Sequence, residues 1–127
     1  MRIHVGNDLE MARRNFHFLV NGMTTVPIGG VEFDVVAFYS VFTHTFPDET
    51  ALLLAEAKRL LAPGGVIFAD LFTSPLVARE AGSRYAVEVN REHMLRLTDL
   101  AGLKAEAVMD YPWNGQARRE FFKFTRK

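Results

Sequence analysis

With 127 residues, 49% of them hydrophobic and 24% charged, the chain has the composition of one soluble globular domain. Fifteen basic residues balance fifteen acidic ones, so no net field favours nucleic acid or an anionic membrane. Cysteine is absent, which excludes a disulfide framework and any thiolate metal site.

No apolar run is long enough to cross a bilayer, and MRIHVGNDLE lacks the charged-then-apolar layout of a signal peptide. A cytoplasmic, single-domain protein over residues 1–127 is therefore expected. The sequence RIHVGN (2–7) reads as a short strand entering a turn, and DLEMARRN (8–15) as a short helix that Asp8 can cap. FHFLVNG (16–22) reads as a second strand closed by Asn21-Gly22, and 23–32 as loop.

FDVVAFYSV (33–41) is the strongest strand signal. Its nearly continuous apolar, β-branched and aromatic content suits a strand covered on both faces, as in a parallel sheet. Residues 48–61 follow as the strongest helix. Asp48 and Glu49 complement its positive end, Lys58 and Arg59 its negative end, and Pro63-Gly64-Gly65 stops it. Leu53, Ala57, Leu60 and Leu61 form its apolar stripe. VIFADLF (66–72) is a second buried-type strand. Residues 73–90 are ambiguous: SPLVAREAG fits a short helix and SRYAVEV an edge strand. Asn90 is placed to cap a helix over 91–102, ended by Gly102. Alternating LKAEAVMDY (103–111) and REFFKFTRK (119–127) form an antiparallel hairpin around PWNGQA. The whole predicts an α/β layered fold, mostly parallel, with helices on both faces and an antiparallel edge.

The stretch from Phe33 to Phe72, with its Phe-Asp before a buried strand, SVFTH exit, Leu-rich helix and R-x-L-x-P-G-G, resembles class I S-adenosylmethionine-dependent methyltransferases. The resemblance extends weakly to about residues 3–127 and implies a Rossmann-like fold, S-adenosylmethionine as cofactor and a small-molecule methyl acceptor. It implies that Asp8 binds the ribose hydroxyls, that Asn21, Gly22 and Met23 hold the adenine, and that Tyr39, Ser40 and Val41 line the cofactor cleft. Asp8 serves equally as a helix N-cap, and Asn21-Gly22 as a plain turn.

The family's opening Gly-rich loop, G-x-G-x-G, is not in this sequence. Read in register, the chain starts at the family's second strand and is truncated at its N-terminus. Read otherwise, RIHVGND is itself a degenerate first strand and loop. A sheet lacking a central strand exposes backbone and apolar surface, so a homodimer or another partner completing the sheet is expected. The alternative is a non-catalytic remnant acting as a dimerising or partner-binding module.

His44, at the mouth of the expected cleft, is the candidate general base, though a histidine there serves equally as a loop residue. Thr43 and Thr45 are expected to fix the turn. Histidines 4, 17, 44 and 93 have no metal-ligand spacing, so no metal is expected. Arg118, Arg119, Arg126 and Lys127 read as solvated strand residues rather than nucleic-acid contacts. Trp113 reads as closing the hairpin.

Overall fold

The computed structural model describes residues 2–4, 18–20 and 32–127. Two short strands, β1 (Arg2–His4) and β2 (Phe18–Val20), pair antiparallel, with Ile3 opposite Leu19. This corrects their implied place in a parallel sheet; they form a ribbon of their own. The expected helix at 8–15 lies outside the described residues.

Among the described residues, a six-stranded sheet is built from Phe33 to Arg126. Strand β3 (Phe33–Phe38) is followed by a single 3-10 turn at Phe42–His44 and by helix α1 (Pro47–Leu60). Strand β4 (Leu61–Thr73) returns parallel to β3, with Val36 beside Ile67 and Phe38 beside Ala69. Strands β5 (Glu80–Ser83) and β6 (Ala86–Val89) form a hairpin, and β6 runs parallel to the end of β4. Helix α2 (Arg91–Leu100) leads to β7 (Leu103–Asn114) and β8 (Ala117–Arg126), an antiparallel pair, and β8 docks antiparallel on β4. The spatial order is β5-β6-β4-β8-β7, with β3 also paired to β4.

The α/β expectation holds, but the described sheet is mixed rather than mostly parallel. Only the β3–β4 and β4–β6 ladders are parallel. The expected short helix at 74–82 is instead a turn at 75–76, a bend at 78–79 and the start of β5. At Gly82, with φ of +97°, an added Cβ would lie 2.2 Å from the Ala86 carbonyl oxygen, so glycine lets the two strands close up. The last hairpin closes more tightly than expected. Asn114 pairs with Ala117 around Gly115-Gln116, and Gly115 takes φ of +58°.

Helices on both faces were expected, yet among the described residues α1 and α2 share one face and touch each other. There Leu54 and Ala57 of α1 and Met94 of α2 pack on Ile67, Ala69, Leu71, Phe122 and Phe124. Of the predicted stripe, Ala57, Leu60 and Leu61 are buried, while Leu54 is fully buried and Leu53 only partly. The opposite face carries Val35, Tyr39, Phe68, Met109, Tyr111 and Trp113, all exposed; Val35 is 55% accessible and Tyr39 72%. The strand expected to be covered on both faces is thus covered on one. Apolar composition records what a strand needs as cover, and the described residues supply half of it.

The end of α1 depends on a residue far away in sequence. Arg126 Nη2 donates to the carbonyls of Lys58 (2.6 Å) and Leu61 (2.7 Å), and Nη1 to that of Ala62 (3.3 Å). These include carbonyls that helix termination leaves without intrahelical partners. Arg126 is therefore a cap and not merely a solvated strand residue. Arg126→Met should lower stability by about 1 kcal/mol, a fall of roughly 3–5 °C in thermal midpoint by circular dichroism, with the far-ultraviolet spectrum otherwise retained.

Candidate functional site

The parallel strands β3, β4 and β6 all end at one edge of the sheet, where α/β folds hold their ligands. Beyond β3 the chain turns through Tyr39, Ser40 and Val41. Ser40 has φ of +56°, the left-handed region that a residue bearing a Cβ seldom adopts. Two tethers hold it there. Its N–H donates to Asp70 Oδ1 (2.7 Å), and its Oγ accepts from Arg119 Nη2 (2.9 Å). Arg119 Nε donates to Asp70 Oδ2 (2.7 Å), closing a triangle across β3, β4 and β8.

Asp70 is fully buried, and the Arg119 side chain is 13% exposed. Burial works against the Arg119 cation. The Asp70 hydrogen bond and charge, joined by the Tyr111 phenol, outweigh that and hold its pKa above the ordinary arginine value. Its guanidinium lies over the rings of Tyr39 (5.1 Å) and Phe121 (5.5 Å). Asp70 projects to the sheet face opposite the core, so without Arg119 the carboxylate would be a buried unpaired charge.

At the end of β4 a cleft of about 590 Å³ opens among Thr73, Ser74, Asn90, Arg91, Arg118 and Glu120. Its floor is polar and buried. Thr73 Oγ1 donates to Glu120 Oε1 (2.7 Å), and Arg91 Nε donates to both Glu120 oxygens (3.0 and 3.1 Å). Asn90 is the expected cap: its Oδ1 accepts from the His93 N–H, while its amide donates to the Val77 carbonyl. It thereby ties α2 to the segment entering β5. Trp113 stacks on Phe72 with centroids 4.3 Å apart, near the hairpin tip as anticipated.

The β5–β6 turn docks on the other side of the rim. His44 Nδ1 lies 2.8 Å from the Arg84 carbonyl oxygen. A carbonyl only accepts, so Nδ1 carries the proton and the neutral ring keeps its lone pair on Nε2. Arg84 Nη1 also reaches both Glu49 oxygens (2.8 and 3.0 Å), and Glu49 Oε1 accepts from the Phe46 N–H at the start of α1. Thr45 bonds Thr50 across the same turn, as expected. Thr43 does not act as a cap; it is buried, and its hydroxyl has no partner among the described residues.

The structure therefore brings Tyr39, Ser40, Val41 and His44 to one edge. Asp8, Asn21, Gly22 and Met23, the other expected site residues, lie outside the described residues. Sequence reasoning missed Asp70 and read Arg119 as a solvated strand residue, which its largely buried pairing with Asp70 corrects. Asp70 interrupts an apolar strand, which was the available signal; its partner 49 residues away had none. Among the described residues no three potential metal ligands cluster, and no helix is long and apolar enough to cross a membrane.

Residues 4–69 match the methyltransferase domain family. The chain belongs to that family. Among solved structures it resembles a methyltransferase of Leishmania major that uses S-adenosylmethionine, at 16% identity and a TM-score of 0.62, over 90% of this chain and 50% of that one. It also resembles the glycopeptide N-methyltransferase MtfA in complex with S-adenosylmethionine, at 11% identity and a TM-score of 0.58, over 84% and 59%. A pericyclic reaction enzyme matches at 15% identity and a TM-score of 0.54, over 80% and 29%. At these identities the likeness is one of fold, and the chain spans between about three tenths and three fifths of these proteins. No curated protein matches.

Glu49 gives this edge a pH dependence. The Arg84 hydrogen bond, then the Phe46 N–H and the Arg84 charge, hold its carboxyl below the usual glutamate range against a small opposing effect of burial. A lowered folded pKa stabilises above the unfolded value near 4.5 and is lost as pH falls through the folded value. The pair is about one-third exposed on the glutamate side, so solvent screening limits its contribution to about 0.5 kcal/mol. Acid titration below pH 4.5 should loosen the β5–β6 hairpin before the core, read as earlier loss of amide protection in the Glu80–Ser83 and Ala86–Val89 ladder than at Ile67 or Phe124. Glu49→Gln should flatten that response.

Proposed function

We propose that the chain takes part in S-adenosylmethionine-dependent methyl transfer to a small-molecule acceptor, with the cofactor site completed by a second polypeptide, most simply another copy. One observation carries this reading. Among the described residues β3 pairs only with β4, although its apolar composition is that of a central strand. An open edge beside the rim invites a further strand, and with it the rest of a cofactor cleft.

The residues at hand fit such a cofactor. Tyr39, Ser40 and Val41 form a polar-tipped rim with a fixed backbone, suited to one side of the cofactor. Asp8 would accept from its ribose hydroxyls, and Asn21, Gly22 and Met23 would sit against its adenine. The bound cofactor would supply an electrophilic methyl group. The protein's part is then chiefly positioning, since alignment of the reacting atoms lowers the barrier more than covalent help would. The cleft floored by Thr73 and Glu120 would hold the acceptor. His44 lies across the rim from that cleft, so an acceptor reaching past the rim would bring its proton to Nε2, the ring nitrogen not bonded to Arg84.

The absence of the Gly-rich loop from this sequence, together with a pericyclic reaction enzyme of the same fold, favours a second reading. In it the chain is a methyltransferase-like module that associates with partners without transferring methyl groups. Thermal denaturation with S-adenosylhomocysteine separates the two. At a ligand concentration of about 100 times its dissociation constant, the first reading requires about 2.7 kcal/mol of added stability. Light scattering on the same sample should show a dimer or larger species. No shift at millimolar ligand supports the second reading. Should methyl transfer be found, His44→Ala should reduce kcat at least about 100-fold while leaving the affinity for S-adenosylhomocysteine unchanged.

A further inference from the structure

Ser40 adopts a conformation that its own residue type resists, and its described tethers come from strands remote in sequence. Its backbone N–H is held by Asp70 from β4 and its hydroxyl by Arg119 from β8. The same guanidinium holds the carboxylate, so both tethers depend on one ion pair. Asp70 and Arg119 lie on the sheet face away from the hydrophobic core, where a charge pair is not needed to fill space among α1 and α2. An apolar pair of similar size would stabilise that spot as well, because burying charge is costly. The position of the pair is explained better by what it holds than by stability alone.

We propose that Arg119, acting with Asp70, is a positioning residue for the cofactor rim: it fixes Ser40 in its left-handed conformation and so sets the path of Tyr39 to Val41. This rests on the reading that the rim meets the cofactor. Arg119 need not touch the ligand to act. Its guanidinium fork reaches two acceptors on different strands at once, which a lysine ammonium on its single flexible stem does not reproduce. The neighbouring rings of Tyr39 and Phe121, with centroids 6.4 Å apart, both lie against the guanidinium and help to orient the fork.

The decisive comparison uses the Asp70→Leu/Arg119→Met variant, which removes both tethers without leaving a buried charge, and the same variant carrying Ser40→Gly. The first should keep a thermal midpoint close to that of the parent but bind S-adenosylhomocysteine about tenfold more weakly, the factor by which a left-handed conformation disfavours a residue with a Cβ. Glycine takes that conformation freely, so Ser40→Gly should restore affinity to within about threefold. A merely structural ion pair would show no such rescue. If the double variant does not fold, Arg119→Lys keeps the charge opposite Asp70 and gives up the link to Ser40 Oγ. With the Asp70 bond to the Ser40 N–H retained, it should show a smaller loss in the same direction, again reversed by Ser40→Gly. Parent-like binding in a variant without the tethers, or a folded glycine variant with no recovery, overturns the proposal. If the parent binds no S-adenosylhomocysteine, the cofactor reading fails instead. The brace is then read in the Ser40 amide, which should exchange at least about tenfold faster in the double variant while the amides of Ile67 and Phe124 are unchanged. Equal exchange at Ser40 refutes the brace itself.

Discussion

Strand β4 is the element on which the rest of the fold leans. It bonds to β3 and β6 in parallel and to β8 antiparallel, so three of the other strands take their register from it. Its side chains divide strictly by face. Ile67, Ala69 and Leu71 go to the helices and make the core, while Phe68, Asp70 and Phe72 go to the other side. A slip of one residue would drive Asp70 into the core and carry Leu71 out of it. The register is therefore fixed by a large difference in burial energy, and the positions of Ser40, Thr73 and Glu120 at the sheet edge follow from it.

That division gives the two faces different tasks. The core face is closed by Leu54, Ala57 and Met94 and needs nothing more. The other face combines exposed aromatic and aliphatic side chains with one buried ion pair. Phe72 is shielded by Trp113, and Arg119 lies among aromatic rings, so the surface is organised rather than merely uncovered.

The functional edge is likewise assembled from distant parts. The turn after β3 is held by β4 and β8. The start of α1 is tied through Glu49 to Arg84 in the β5–β6 turn, which also fixes the His44 ring. The floor of the cleft joins β4, α2 and β8 through Thr73, Arg91 and Glu120. Each link is a charged or hydroxyl group satisfied by a partner at least 29 residues away. Such links convert sheet register into the geometry of a site.

Local chemistry made much of this legible in the sequence. The two parallel strands, expected at 33–41 and 66–72 and found at Phe33–Phe38 and Leu61–Thr73, the helix between them with its acidic start, the Asn90 cap and the final hairpin follow from propensities and patterns that act over a few residues. The helix ends at Leu60, however, and Pro63-Gly64-Gly65, expected to stop it, lie inside β4. The sequence also placed Tyr39 to His44 at a strand exit. SRYAVEV reads as an edge strand in the sequence and β6 lies within it, but only the tertiary structure decided that β5 is a strand and that β6 sits between β5 and β4 rather than at an edge. Only it showed that Arg126 caps α1 and that Arg119 holds Asp70 and Ser40. A charged residue on an alternating strand looks the same whether it meets water or a carbonyl 60 residues away. What surrounds a side chain is a property of the folded sheet, and no local pattern encodes it.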